Sequence, residues 1–144
     1  MDELTVACVL LALGGGFLGW FWLTPGGVLT LRRLAAGELQ VDVRLAYSPE
    51  TLYRLLENYG ETGRRSFRRM LLVDMIFPAV YGTALYLLAD SLALANQASS
   101  PTANIARSAP ICAAAFDYAE NVLLLYVLHR FPARHALIAR AAGF

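Results

Sequence analysis

Lysine is missing altogether: all twelve basic residues of this 144-residue chain are arginine. Charge of either sign is scarce, at 16% of residues against roughly 25% in an average soluble domain, while 58% are hydrophobic. With a mean hydropathy of +0.50, that balance argues against an ordinary soluble globule. The net charge of +1 leaves no global field to recruit nucleic acid or an acidic substrate. No aromatic and basic residues interleave as in a nucleic-acid module, so no nucleic-acid partner is expected. Cysteine is limited to Cys8 and Cys112, which have no metal or redox spacing and read as packing residues of apolar helices. Their places near the same end of two spans leave a disulfide geometrically conceivable. Of the two histidines, His129 follows Asn121 by more than two helical turns, and His135 lies farther on among arginines, so neither completes a compact ligand set. There is no glycine-rich phosphate loop, and Ser66, Ser91 and Ser108 have no nucleophile-elbow context. The sequence therefore names no cofactor, and the balance is against an enzyme.

What the chain does have is long apolar runs. A helix needs about 20 mostly apolar residues to cross about 30 Å of hydrocarbon, and three segments qualify: 4–23, 70–94 and 109–128. The first carries no charge and ends in Trp20, Phe21 and Trp22, aromatics of the kind that settle at a membrane interface. Asp2 and Glu3 at its start are unlike the basic opening of a cleaved signal peptide. The second is framed by Arg68 and Arg69 and by the polar residues Asn96, Gln97, Ser99 and Ser100, with a kink expected at Pro78. The third holds Asp117, Glu120 and Asn121 and stops at His129, Arg130 and Pro132.

Arginine placement sets the expected orientation, since cytoplasmic loops hold the positive excess. Arg32, Arg33, Arg44, Arg54, Arg64, Arg65, Arg68 and Arg69 lie between the first two spans, and Arg130, Arg134 and Arg140 follow the third. Arg107 is alone in the connection between spans two and three. This predicts a multi-pass protein of the cell inner membrane with its N-terminus outside and loop 24–69 cytoplasmic. Within that loop Ser48-Pro49-Glu50 is a helix start, with Ser as N-cap, Pro at the first helical position and an acid in the first turn. Leu52, Tyr53, Leu55, Leu56 and Tyr59 mark an apolar side, and Gly60 is a C-terminal stop. The spacing predicts an amphipathic helix over 48–60, resting among lipid headgroups. The cytoplasmic arginines suit anionic headgroups as well.

Asp117, Glu120 and Asn121, at i, i+3 and i+4, share one helix face, and Asp74 falls about one turn inside the second span. Carboxylates near mid-membrane are costly, so a buried polar cluster of Asp74, Asp117, Glu120 and Asn121 shared by spans two and three is the main candidate site. Tyr81, Tyr86, Tyr118 and Tyr126 could add hydroxyls. Three uses compete with plain interhelical hydrogen bonding: an ion or lipid-headgroup site, a proton or ion path in a small transporter, and acid–base or metal chemistry on lipid. Gly15 and Gly19 form a GxxxG spacing suited to close helix approach, within the chain or between copies in a homo-oligomer.

The strings Asp42-Val-Arg44, Tyr47-Ser-Pro-Glu50, Gly60-Glu-Thr-Gly63-Arg64, Asp74-Met-Ile-Phe77-Pro78 with Tyr81, and Phe116-Asp117-Tyr-Ala-Glu120-Asn121 resemble a family of small, uncharacterised bacterial integral membrane proteins with four spans. The resemblance covers about Asp42 to Pro132. It implies architecture and assigns no activity. The expected fold is thus an all-α polytopic helix bundle forming one membrane domain over 1–144. It has three spans, a cytoplasmic interfacial helix, and an apolar tail, 136–144, that either lies on the membrane or is the stub of a truncated fourth span.

Overall fold

The computed structural model describes residues 2–44, 46–96 and 101–143. It is all-helical, with 82% of residues in helix and no strand among the described residues. The helices are α1 (Glu3–Leu23), α2 (Val28–Leu34), α3 (Pro49–Asn58), α4 (Gly60–Asp74), α5 (Phe77–Ala95), α6 (Pro101–Arg130) and α7 (Ala136–Ala142), with a 3₁₀ turn over Val41–Val43. Three stretches are long and apolar enough to cross a membrane: Glu3–Leu34, Gly60–Ala95 and Pro101–Arg130.

Two boundaries differ from the sequence expectation for physical reasons. The second apolar stretch is broken at Met75 and Ile76, and Pro78 sits in the first turn of α5, where its missing N–H has no intrahelical partner to lose. The expected kink is therefore a helix start. The third helix begins at Pro101, so Arg107 lies inside α6, where its Nε donates to Asp90 Oδ1 of α5 at 2.6 Å. The flanking residues Gln97, Ser99 and Ser100 lie outside the described residues.

The chain forms two compact units, Met1–Leu18 with Met75–Tyr118, and Gly19–Asp74 with Ala119–Phe144. They bury different kinds of residue. In the first, the buried positions are small or compact: Ala7, Gly14, Pro78, Gly82, Ala84, Ala93, Ala103 and Ala114. Large apolar side chains such as Leu13, Ile76, Leu94, Ile105 and Phe116 are exposed. This is how helices pack where lipid, not the protein interior, takes the large side chains. Gly82 shows the fit, since a Cβ there would meet the Ala114 Cβ at 3.0 Å, bringing α5 close to α6.

The second unit has a core of large residues: Leu31 of α2, Leu52, Leu55 and Leu56 of α3, Phe67 and Leu71 of α4, and Leu124 and Val127 of α6. Helix α3 starts as its sequence predicts, with Ser48 Oγ accepting from Thr51 N at 3.2 Å and Pro49 at the first position, a cap that contributes about 1 kcal/mol. Gly60 ends it at φ +60°, a left-handed conformation that glycine adopts without Cβ strain. The apolar side of α3, expected to rest on lipid, packs on α4 and α7 instead. The tail forms α7, whose Ala139 and Ala142 are buried while Leu137 is exposed.

The small-residue face is also rotated from expectation. A Cβ at Gly15 or Gly19 would meet nothing within 4 Å among the described residues, whereas one at Gly14 would meet Phe77 and Val80. Both cysteines are free and exposed.

Candidate functional site

The four sequence-selected residues do not gather into one buried carboxylate cluster. Asp74, Asp117 and Glu120 are each half-buried, and only Asn121, at 3% exposure, is buried. Among the described residues no three His, Cys, Asp or Glu side chains come together as a metal-ligand set. The polar groups are instead distributed over contacts that fasten one segment to another.

Asp74 is the last residue of α4, and its Oδ2 accepts from Asn121 Nδ2 of α6 at 2.9 Å. Glu120, one residue earlier on α6, takes a bond from the Tyr47 hydroxyl at 3.2 Å, and the same phenol reaches the Ala142 carbonyl of α7 at 2.8 Å. Burial, and then the Glu120 carboxylate, holds the Tyr47 phenol above its ordinary range. In the other unit Asp117 Oδ2 accepts from Tyr81 of α5 at 2.6 Å, and the Tyr81 ring lies 5.2 Å from Phe77. Of the other tyrosines, Tyr86 and Tyr118 line an apolar groove of about 410 Å³ with Pro78, Gly82, Ile111 and Ala114, and Tyr126 packs edge-on against His135.

Several arginines offered to headgroups have protein partners. Arg44 and Arg54 both bind Glu38, which holds that carboxyl below its usual range. Arg65 pairs with Glu61, Arg134 with Glu57 at 2.7 Å, and Arg64 donates to the Leu56 carbonyl while stacking over Phe131.

Sequence reading missed a second polar site. Asp42 follows the buried Gln40 by two residues on the connection between α2 and α3, and Gln40 Nε2 donates to Asp42 Oδ2 at 3.3 Å. The Asp42 carboxyl is pushed up to about 7, first by burial and then by the charges of Asp74 and Glu120. Burial, followed by Asp42, likewise raises the Tyr59 phenol. The only sequence signal was the Asp42-Val-Arg44 string; no periodicity marks a residue on an irregular connection. No protein family, curated protein or solved structure matches the chain.

Proposed function

We propose that this chain is an integral membrane protein whose intramembrane polar residues act as ties between helices and so organise the bundle. The observation that carries this reading is the Asn121 to Asp74 hydrogen bond, made by the one buried residue of the sequence-selected four. A polar group in a low-dielectric surrounding favours the arrangement that satisfies it, which gives such a contact a role in register as well as stability. Tyr81 on Asp117 and Tyr47 on Glu120 repeat the pattern with other segments.

The test is native mass spectrometry in mild detergent of wild type beside the Asp117→Asn, Glu120→Gln double variant. A tie predicts equal ligand occupancy and a lower melting temperature for the variant. A metal ion or lipid retained by wild type and lost from the variant would replace this reading with a binding or catalytic one.

The same proposal includes the orientation read from the arginines, with the connection 24–69 cytoplasmic in an inner membrane. It also includes the resemblance to small bacterial four-span proteins. With Cys8 and Cys112 replaced by Ala, Asn58→Cys, at the end of α3, should be modified by a membrane-impermeant thiol reagent only after the cells are opened. Labelling from outside would reverse the orientation.

A further inference from the structure

Two buried oxygens on side chains two residues apart on the α2–α3 connection have no hydrogen-bond partner among the described residues: Gln40 Oε1 and Asp42 Oδ1. Gln40 is 1% exposed, and its amide already meets the other carboxyl oxygen, Asp42 Oδ2, at 3.3 Å. A primary amide and a carboxyl joined by one N–H to O contact can close into a two-bond ring if the carboxyl carries a proton. The ionised carboxylate has only acceptors and would leave both orphan oxygens unsatisfied. A protonated Oδ1 donates to Oε1 and satisfies both, and buried polar atoms in native structures are satisfied as a rule.

We propose that Gln40 and Asp42 form a proton-binding site, with one proton from solvent held between Asp42 Oδ1 and Gln40 Oε1, which makes the α2–α3 connection responsive to pH. The proton adds to one oxygen and breaks no other bond. The surroundings favour the neutral form. Asp74 at the end of α4 and Glu120 on α6 present negative charge to Asp42, and the neutral phenols of Tyr47 and Tyr59 adjoin it. Among the described residues Asp42 forms no ion pair, and Arg44, the nearest basic residue in sequence, is committed to Glu38 and the Leu39 carbonyl. The backbone N–H groups of Asp42 and Val43 pull toward ionisation, yet the net direction is upward, to about 7. Losing the proton places a new negative charge near those of Asp74 and Glu120, which disfavours the folded arrangement of this connection. This inference shares Asp74 with the Asn121 tie but rests on the orphan oxygens of Gln40 and Asp42, not on that tie.

The sign of the pH effect follows from linkage. The folded state holds the proton more tightly than the unfolded chain, whose Asp titrates near 3.8, so the stabilisation is complete below that pH and is lost as pH rises to about 7. Through that window the site makes the unfolding constant rise about tenfold per pH unit. The experiment is infrared titration of the full chain in detergent with isotopically labelled aspartate, beside thermal unfolding from pH 4 to 8. One aspartic acid carbonyl band should appear as pH falls through 7 and vanish in Asp42→Asn, which should also remove the tenfold-per-unit term. Gln40→Met should keep the band but move it to higher frequency, as the acid's carbonyl oxygen loses the Gln40 Nε2 donor and its hydroxyl loses the Oε1 acceptor. An Asp42 that stays ionised at pH 5, an unchanged pH slope in Asp42→Asn, or an unmoved band in Gln40→Met would overturn the proposal. The wild-type and Gln40→Met spectra decide it even where Asp42→Asn does not fold.

Discussion

Phe67→Ala should lower the unfolding free energy by about 3–5 kcal/mol, the range for truncating a large buried aromatic and leaving a cavity. The residue is fully buried in α4, and its ring meets Tyr59 edge-on at 5.7 Å. It shares the second unit's core with Leu31, Leu52, Leu55 and Leu71. Deleting the ring removes a fully buried side chain from α4, which packs on α2 and α3, and neighbours of fixed rotamer collapse only partly into the space. Leu72, next but four along the same helix and 54% exposed, supplies the control, with a change within about 0.5 kcal/mol on Leu72→Ala. Chemical unfolding in detergent followed by tryptophan fluorescence measures both. Equal effects at the two positions would mean that the second unit has no large-residue core.

Asn121→Ala is expected to destabilise by about 1–2 kcal/mol, the upper part of the range for interhelical hydrogen bonds in membrane proteins. Asn121 is buried, and its amide donates to Asp74 Oδ2 at 2.9 Å. Truncation removes a donor that α6 provides to the end of α4 and exposes that carboxyl oxygen to a less polar surrounding. A melting-temperature series in detergent reads the loss. Asn121→Asp, which keeps the size and replaces the donor with an acceptor, should be at least as damaging, because two carboxyl oxygens would then face each other.

Much of the architecture was legible because it rests on local rules. Ser48-Pro49 gave the start of α3 and Gly60 its end, and the three apolar runs are long for simple reasons of length and composition. The errors fall where local rules are silent. Helix α1 is apolar all round, so nothing in its sequence fixes its rotation, and Gly14 rather than Gly15 or Gly19 meets Phe77. Arg107 looked like a loop cation because its partner, Asp90, is on a different helix. The i, i+3, i+4 spacing did place Glu120 and Asn121 on one side of α6, but whether neighbouring carboxylates share a partner depends on tertiary contacts. Each found its own: Tyr47 for Glu120 and Asp74 for Asn121, with Tyr81 for Asp117. Gln40 and Asp42 were invisible as a pair because burial of an irregular connection is set by the helices around it, not by its own pattern.

The role of intramembrane polar groups as ties is tested most directly by a double-mutant cycle on Asn121→Ala and Asp74→Ala, with unfolding free energies measured in one detergent at one pH. The account predicts a coupling energy of about 1–2 kcal/mol, the second truncation costing little once the first is made. Additive effects, with a coupling below about 0.3 kcal/mol, would contradict it.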